Sequence, residues 1–159
     1  MRSHSEQCHL RHTPSQLYDL VADVEKYPEF LSGVVAVRVL RRDGNTMWID
    51  MAIGVAAFHG HFTSKAILDP PNRIDITSEG SLFDEFRQTW TFQEAESGGT
   101  LVRFDTRFAF RSPLLRAAAG LLFGSIERSM VDAFRRRARL IYGPAVPPKN
   151  LRAGKEKPR

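Results

Sequence analysis

The sequence predicts an α+β protein of the helix-grip kind. A curved antiparallel sheet of about six or seven strands would wrap around one long C-terminal helix, with two short helices after strand one. Three observations predict it. Between residues 34 and 111, β-rich runs are separated by turns built from Gly, Asn, Asp and Pro, the pattern of consecutive hairpins. From Pro113 to Tyr142 the apolar residues fall at helical spacing. Ahead of the sheet, Leu20, Val21, Val24, Tyr27, Phe30 and Leu31 recur at helical spacing, interrupted at Pro28.

The elements follow in order. Residues 2–12 read as a polar, weakly alternating first strand. Thr13 and Pro14 open a helix as N-cap and first helical residue, carried to residue 22. Pro28 lacks an N–H and disfavours helix at Tyr27, so residues 25–31 form a separate short helix after a bend. Residues 34–40 are β-rich, and Asp43-Gly44-Asn45 is a hairpin turn. Residues 47–55 and 58–68 make the next hairpin. Asp69-Pro70-Pro71-Asn72 turns the chain into a strand over 73–78, and residues 83–93 and 100–111 form the last hairpin. Ser112 and Pro113 repeat the cap logic, and Gly143-Pro144 stops the helix after about 45 Å. Leu115, Ala119, Leu122, Ile126, Met130, Phe134 and Ile141 line one face of it. Gly120 and Gly124 each cost about 1 kcal/mol of helix stability, so either close packing on the sheet or a bend should offset them.

Composition sets bounds. One domain over residues 1–143 and a basic, disordered tail over 144–159 account for the 159 residues. The single cysteine, Cys8, excludes an internal disulfide and fits a reducing compartment. No signal peptide and no membrane-spanning run is visible. The expected location is a bacterial cytoplasm, with peripheral contact at the inner membrane face. The net charge of +5 is uneven: residues 135–159 carry nine Lys or Arg against one Glu, and residues 1–134 carry −3. A basic end from Arg135 to Arg159 suits anionic lipid or nucleic-acid phosphate, and equally a solvated helix face and tail.

Strand parity puts Phe86, Gln88, Trp90 and Phe92 on one face, and Phe104, Thr106, Phe108 and Phe110 on one face of the next strand. Met47, Ile49, Met51, Ile53 and Val55 make another apolar face, while Arg103, Asp105 and Arg107 point away as a charge ladder. A wall with almost no ionisable groups suits a prenyl tail or lipid and not acid–base catalysis. The same rings are also the material of an ordinary packed core. His59 and His61 share a face, but no third ligand stands at diagnostic spacing, so no metal is expected. No phosphate loop or nucleophile motif occurs.

The stretch Leu20-Val21-Ala22-Asp23-Val24-Glu25-Lys26-Tyr27-Pro28-Glu29-Phe30-Leu31 resembles the LVxDVxxYPxFL signature of the coenzyme Q-binding protein family, within the START-like, polyketide-cyclase-related folds. Phe62-Thr63-Ser64 resembles its FTS element, and Trp90-Thr91-Phe92 its aromatic WxF strand. Phe104, Phe108 and Phe110 are similar to its FxFxF-like strand, and residues 133–143 to its AFxxRAxxxYG end. The resemblance runs from about residue 17 to 143. Bacterial ribosome association toxins resemble the same pattern. Ser32-Gly33-Val34 departs from the family's Pro-Trp-Cys, and Ser81-Leu82-Phe83, before the acidic Asp84-Glu85, from its Gly-Pro-Phe and basic residues.

The resemblance implies a carrier or chaperone that encloses ubiquinone or another prenylated quinone, a bound ligand and not a catalytic cofactor, in support of respiratory electron transfer. The residues expected around it are Tyr27, Phe30, Met51, Phe62, Trp90, Phe92, Phe104, Phe108, Leu122, Ile126 and Met130. Ribosome binding through the large subunit is the alternative reading, and an aromatase- or cyclase-type enzyme the third.

Overall fold

The computed structural model describes residues 2–55, 58–79 and 82–144; for residues 2, 55, 79 and 119–127 only the backbone is described. Seven strands form one antiparallel sheet: β1 Arg2–Leu10, β2 Val34–Asp43, β3 Thr46–Val55, β4 Phe58–Asp69, β5 Arg73–Glu79, β6 Phe83–Glu94 and β7 Thr100–Phe110. Their order is β1-β7-β6-β5-β4-β3-β2, so five successive hairpins run from β2 to β7, and β1 returns to pair with β7. Helix α1 is Pro14–Ala22, a 3₁₀ helix covers Val24–Glu29, and α2 is Pro113–Tyr142. This is the helix-grip α+β architecture expected.

The caps act as read. Thr13 closes a capping box with Gln16, and Pro14 stands in the first turn of α1. Ser112 accepts from the Leu115 amide at the start of α2. Gly143 ends α2 at φ +81°, its amide donating to the Arg139 carbonyl. Gly99, at φ +75°, turns β6 into β7 so close to β1 that a Cβ there would lie 2.4 Å from the Leu10 carbonyl oxygen.

Three expectations need correction. The first strand stops at Leu10, and His12 is instead buried, its ring N–H donating to the Gly143 carbonyl at 3.1 Å. The second short helix is 3₁₀ and covers Val24–Glu29, with Pro28 inside it, where 25–31 was expected. Ile141 is 48% exposed. The buried residues in the second half of α2 are Val131, Ala133, Phe134 and Ala138; Ile141 shares Phe134's face by its spacing but stands in the last turn of the helix, where it is exposed. The basic tail, and the side chains of Leu122 and Ile126, lie outside what is described, as does any bend at Gly120 and Gly124.

Candidate functional site

The concave face of the sheet carries two aromatic groups. The first is sealed. Trp90 is 4% exposed, 4.4 Å from the Phe104 ring and 5.3 Å from Phe134 of α2, all distances between ring centroids. Tyr27 and Phe30 close this end from the 3₁₀ segment, meeting Phe134 edge-on at 5.5 and 5.1 Å. The buried Tyr27 hydroxyl donates to the Val21 carbonyl, and burial holds its phenol well above the usual range. Phe92 sits against Tyr18, whose own phenol burial pushes up to about 12. Met130 is half-buried and packs on the same core.

The second group lies further along the face. Phe62, Phe83 and Phe108 are buried, with Met51, Ile53, Leu82, Phe86 and Phe110 only partly buried around them. Phe62 and Phe83 meet edge-on at 5.2 Å, and Phe83 stacks on Phe110 at 4.9 Å. Strict alternation along β6 would not give both Phe83 and Phe86 to this cluster. A register shift between Phe83 and Glu85 does so, turning Asp84 outward. There Asp84 accepts from Arg111 and from Arg116 in the first turns of α2, which ties the acidic segment to the helix start.

The expected ligand residues are therefore split. Tyr27, Phe30, Trp90, Phe92, Phe104 and Met130 belong to the sealed end, Phe62 and Phe108 to the half-buried end, and Met51 packs against both. Sequence reasoning left Ile53, Leu82, Phe83, Phe86 and Phe110 out of the site. Parity had already put Ile53, Phe86 and Phe110 on these faces; Phe83 needed the bulge.

The inner face is more polar than expected. Leu10, Cys8, Glu6 and His4 of β1 share its side, with the His4 and Glu6 side chains 3.0 Å apart. Burial raises the Cys8 thiol, against the pull of the nearby Arg135 guanidinium. The register also aligns His4, Thr106, Gln88 and Ile76 in one row across β1, β7, β6 and β5.

A separate open groove of about 820 Å³ lies among Thr13, Ser15, Asp69, Asn72, Gly98 and Gly99, outside the sheet–helix interface. Of the expected ligand residues it touches Phe92 alone.

On the convex face the register lines up Arg107, Arg87, Thr77, Lys65, Trp48 and Arg41 across six strands. Arg41 lies 4.5 Å and Lys65 5.9 Å from the Trp48 ring. Arg87, Arg107 and Lys65 make no ion pair among the described residues. At the basic end, by contrast, Arg135 pairs with Asp132 and Arg137 with Glu29, while Arg136 and Arg139 stay exposed. His59 and His61 are both exposed on β4, His61 beside Asp50, and no cluster of metal-ligating side chains occurs among the described residues. No helix is long and apolar enough to cross a membrane, among the residues described.

Residues 10–135 match the protein family described as polyketide cyclase / dehydrase and lipid transport. The chain is 32% identical over 144 residues to the ribosome association toxin RatA of Pseudomonas aeruginosa, covering 90% of this chain and 100% of that one. It is 27% identical over 132 residues to the mitochondrial coenzyme Q-binding protein COQ10 homolog B of Xenopus laevis, covering 80% of this chain and 54% of that one. Among solved structures, the Zhui aromatase/cyclase from Streptomyces sp. R1128 superposes with a TM-score of 0.79 at 15% identity, over 91% of this chain and 99% of that one. That likeness carries the fold.

Proposed function

The chain belongs to the polyketide cyclase / dehydrase and lipid transport family, and we propose from that membership that it carries one apolar ligand between the sheet and α2. The ligand proposed is ubiquinone or a related prenylated quinone, held as cargo with no chemistry done on it. The observation that carries this reading is the half-buried aromatic end. Met51, Ile53, Leu82, Phe86 and Phe110 keep apolar area accessible beside three buried rings. The experiment is mass spectrometry of a solvent extract from protein purified out of its own host. A prenylated quinone near one equivalent supports the reading; protein free of any lipid, and unable to take up a quinone in titration, overturns it.

One observation favours a second reading, a regulator that binds the large ribosomal subunit. The row Arg107, Arg87, Lys65 and Arg41 sets cationic side chains on strand positions about 4.8 or 9.6 Å apart along the backbone, with Trp48 between the last two. Cations at that spacing suit a phosphate backbone, and an indole gives a base a stacking surface. The relative named a ribosome association toxin points the same way. Salt-sensitive co-sedimentation with large subunits that Arg87→Glu with Arg107→Glu abolishes would support it; co-sedimentation that the double variant leaves intact would exclude this face.

A further inference from the structure

The boundary between the two aromatic groups is polar, and its key atom has no partner. Thr106 is 3% exposed, and its Oγ1 is buried with no hydrogen-bond partner. It stands on the concave side of β7, between Phe104 and Phe108. Its registered neighbour on β6 is Gln88. Gln88 Oε1 accepts from Trp90 Nε1 at 3.1 Å. An indole N–H can only donate, so the Gln88 oxygen must face it and the amide nitrogen must face away. That nitrogen makes no hydrogen bond among the described residues. On the other side of Thr106 the row ends at His4, whose ring already meets the Glu6 carboxylate.

An orphaned hydroxyl in an apolar wall costs about 1–3 kcal/mol, a cost that a bound group able to hydrogen-bond would remove. Two O–H or N–H donors from neighbouring strands suit one acceptor with two lone pairs. They suit a carbonyl oxygen better than a carboxylate, which would also meet Glu6. Resting on the apolar-cargo reading above, we propose that Thr106 and Gln88 form the subsite for a ring carbonyl of the cargo. The ring lies at the boundary row, and the apolar remainder runs along Phe62, Phe86 and Phe108. The ligand class is then an apolar molecule with a keto or quinone oxygen, not a hydrocarbon or a fatty acid.

The test compares two probes on the full chain. Diphenylhexatriene is a pure hydrocarbon, and decylubiquinone carries ring carbonyls. The parent protein should bind both. Thr106→Val keeps the shape and the β-branch and removes the hydroxyl. It should weaken decylubiquinone by about 3- to 10-fold, the loss of one hydrogen bond, and leave diphenylhexatriene unchanged. Thr106→Ser, which keeps the hydroxyl, should keep the quinone affinity. Thermal melts should show Thr106→Val at least as stable as the parent, because it removes a buried unpaired group. Equal effects on both probes, or none on decylubiquinone, overturn the subsite. A parent that binds diphenylhexatriene but not decylubiquinone overturns it too, and spares the apolar site. A parent that binds neither overturns the cargo reading as well.

Discussion

Trp90 and Phe86 lie on the same face of the same strand, four residues apart, and meet different fates. Trp90 is 4% exposed, wedged among Phe92, Phe104 and Phe134. Phe86 touches Phe62 and Phe83 and stays half-buried. The difference comes from what covers each end. At the Trp90 end α1, the 3₁₀ segment and the second half of α2 all contribute, through Leu17, Tyr27, Phe134 and Ala138. Among the described residues, the Phe86 cluster draws only on the sheet and on Leu82 at its edge. Aromatic content alone therefore does not make a binding site. A ring covered from three sides is core, and a ring that keeps accessible area is available.

The largest effect expected from this contrast is on stability. Trp90→Ala should cost about 3–5 kcal/mol in urea unfolding, because it empties a sealed volume that cannot collapse. Phe86→Ala should cost under about 1.5 kcal/mol, since less area leaves contact, yet it should lower diphenylhexatriene affinity. Were the two substitutions equally destabilising, the Phe86 end would be core and the division would fail.

A middling effect is expected where α2 begins. Asp84 joins Arg111 and Arg116, all three well exposed, so Asp84→Asn should cost under about 1 kcal/mol. Its signature is positional. Amide exchange over residues 113–118 should speed up, while residues 131–139, held by Phe134 and Ala138, keep their protection. Equal acceleration in both stretches would mean that α2 responds as one rigid unit.

The sequence made some of this legible and hid the rest for definable reasons. Both bounds of α2 could be read because caps are local: Ser112-Pro113 and Gly143 need no distant partner. The faces of β3, β6 and β7 followed from strict alternation through Met47, Trp90 and Phe104. The bulge at Phe83 is a backbone event that no side chain announces, so the site gained a ring that parity missed. Strand β1 hid its inner face, because His4, Glu6 and Cys8 are not the apolar residues that mark an interior. The convex row of Arg41, Lys65, Arg87 and Arg107 spans residues far apart in sequence and emerges only from register. The split of the predicted ligand residues had the same origin: parity says which side a ring faces, not what packs over it.

The smallest effect expected is a pH dependence confined to the sealed end. Glu29, the last residue of the 3₁₀ helix, accepts from Arg137 of α2 at 2.6 Å, and Arg137 also lies 5.0 Å from the Phe30 ring. Hydrogen bonding from Arg137 holds the Glu29 carboxyl below its ordinary value of 4.5. A carboxyl depressed in the folded state contributes stability that is full above its unfolded pKa. That contribution is lost as pH falls through the folded pKa. Glu29→Gln should therefore lower the melting temperature slightly at pH 7, and the difference should shrink as acid carries the pH down through the folded-state pKa, below which the parent's Glu29 is itself protonated. Packing of Arg137 on Phe30 does not depend on that proton and so cancels in the comparison. A difference that stays the same size as the pH falls would show that the contact acts through shape and not charge, and the sealed end would then owe its closure to its rings alone.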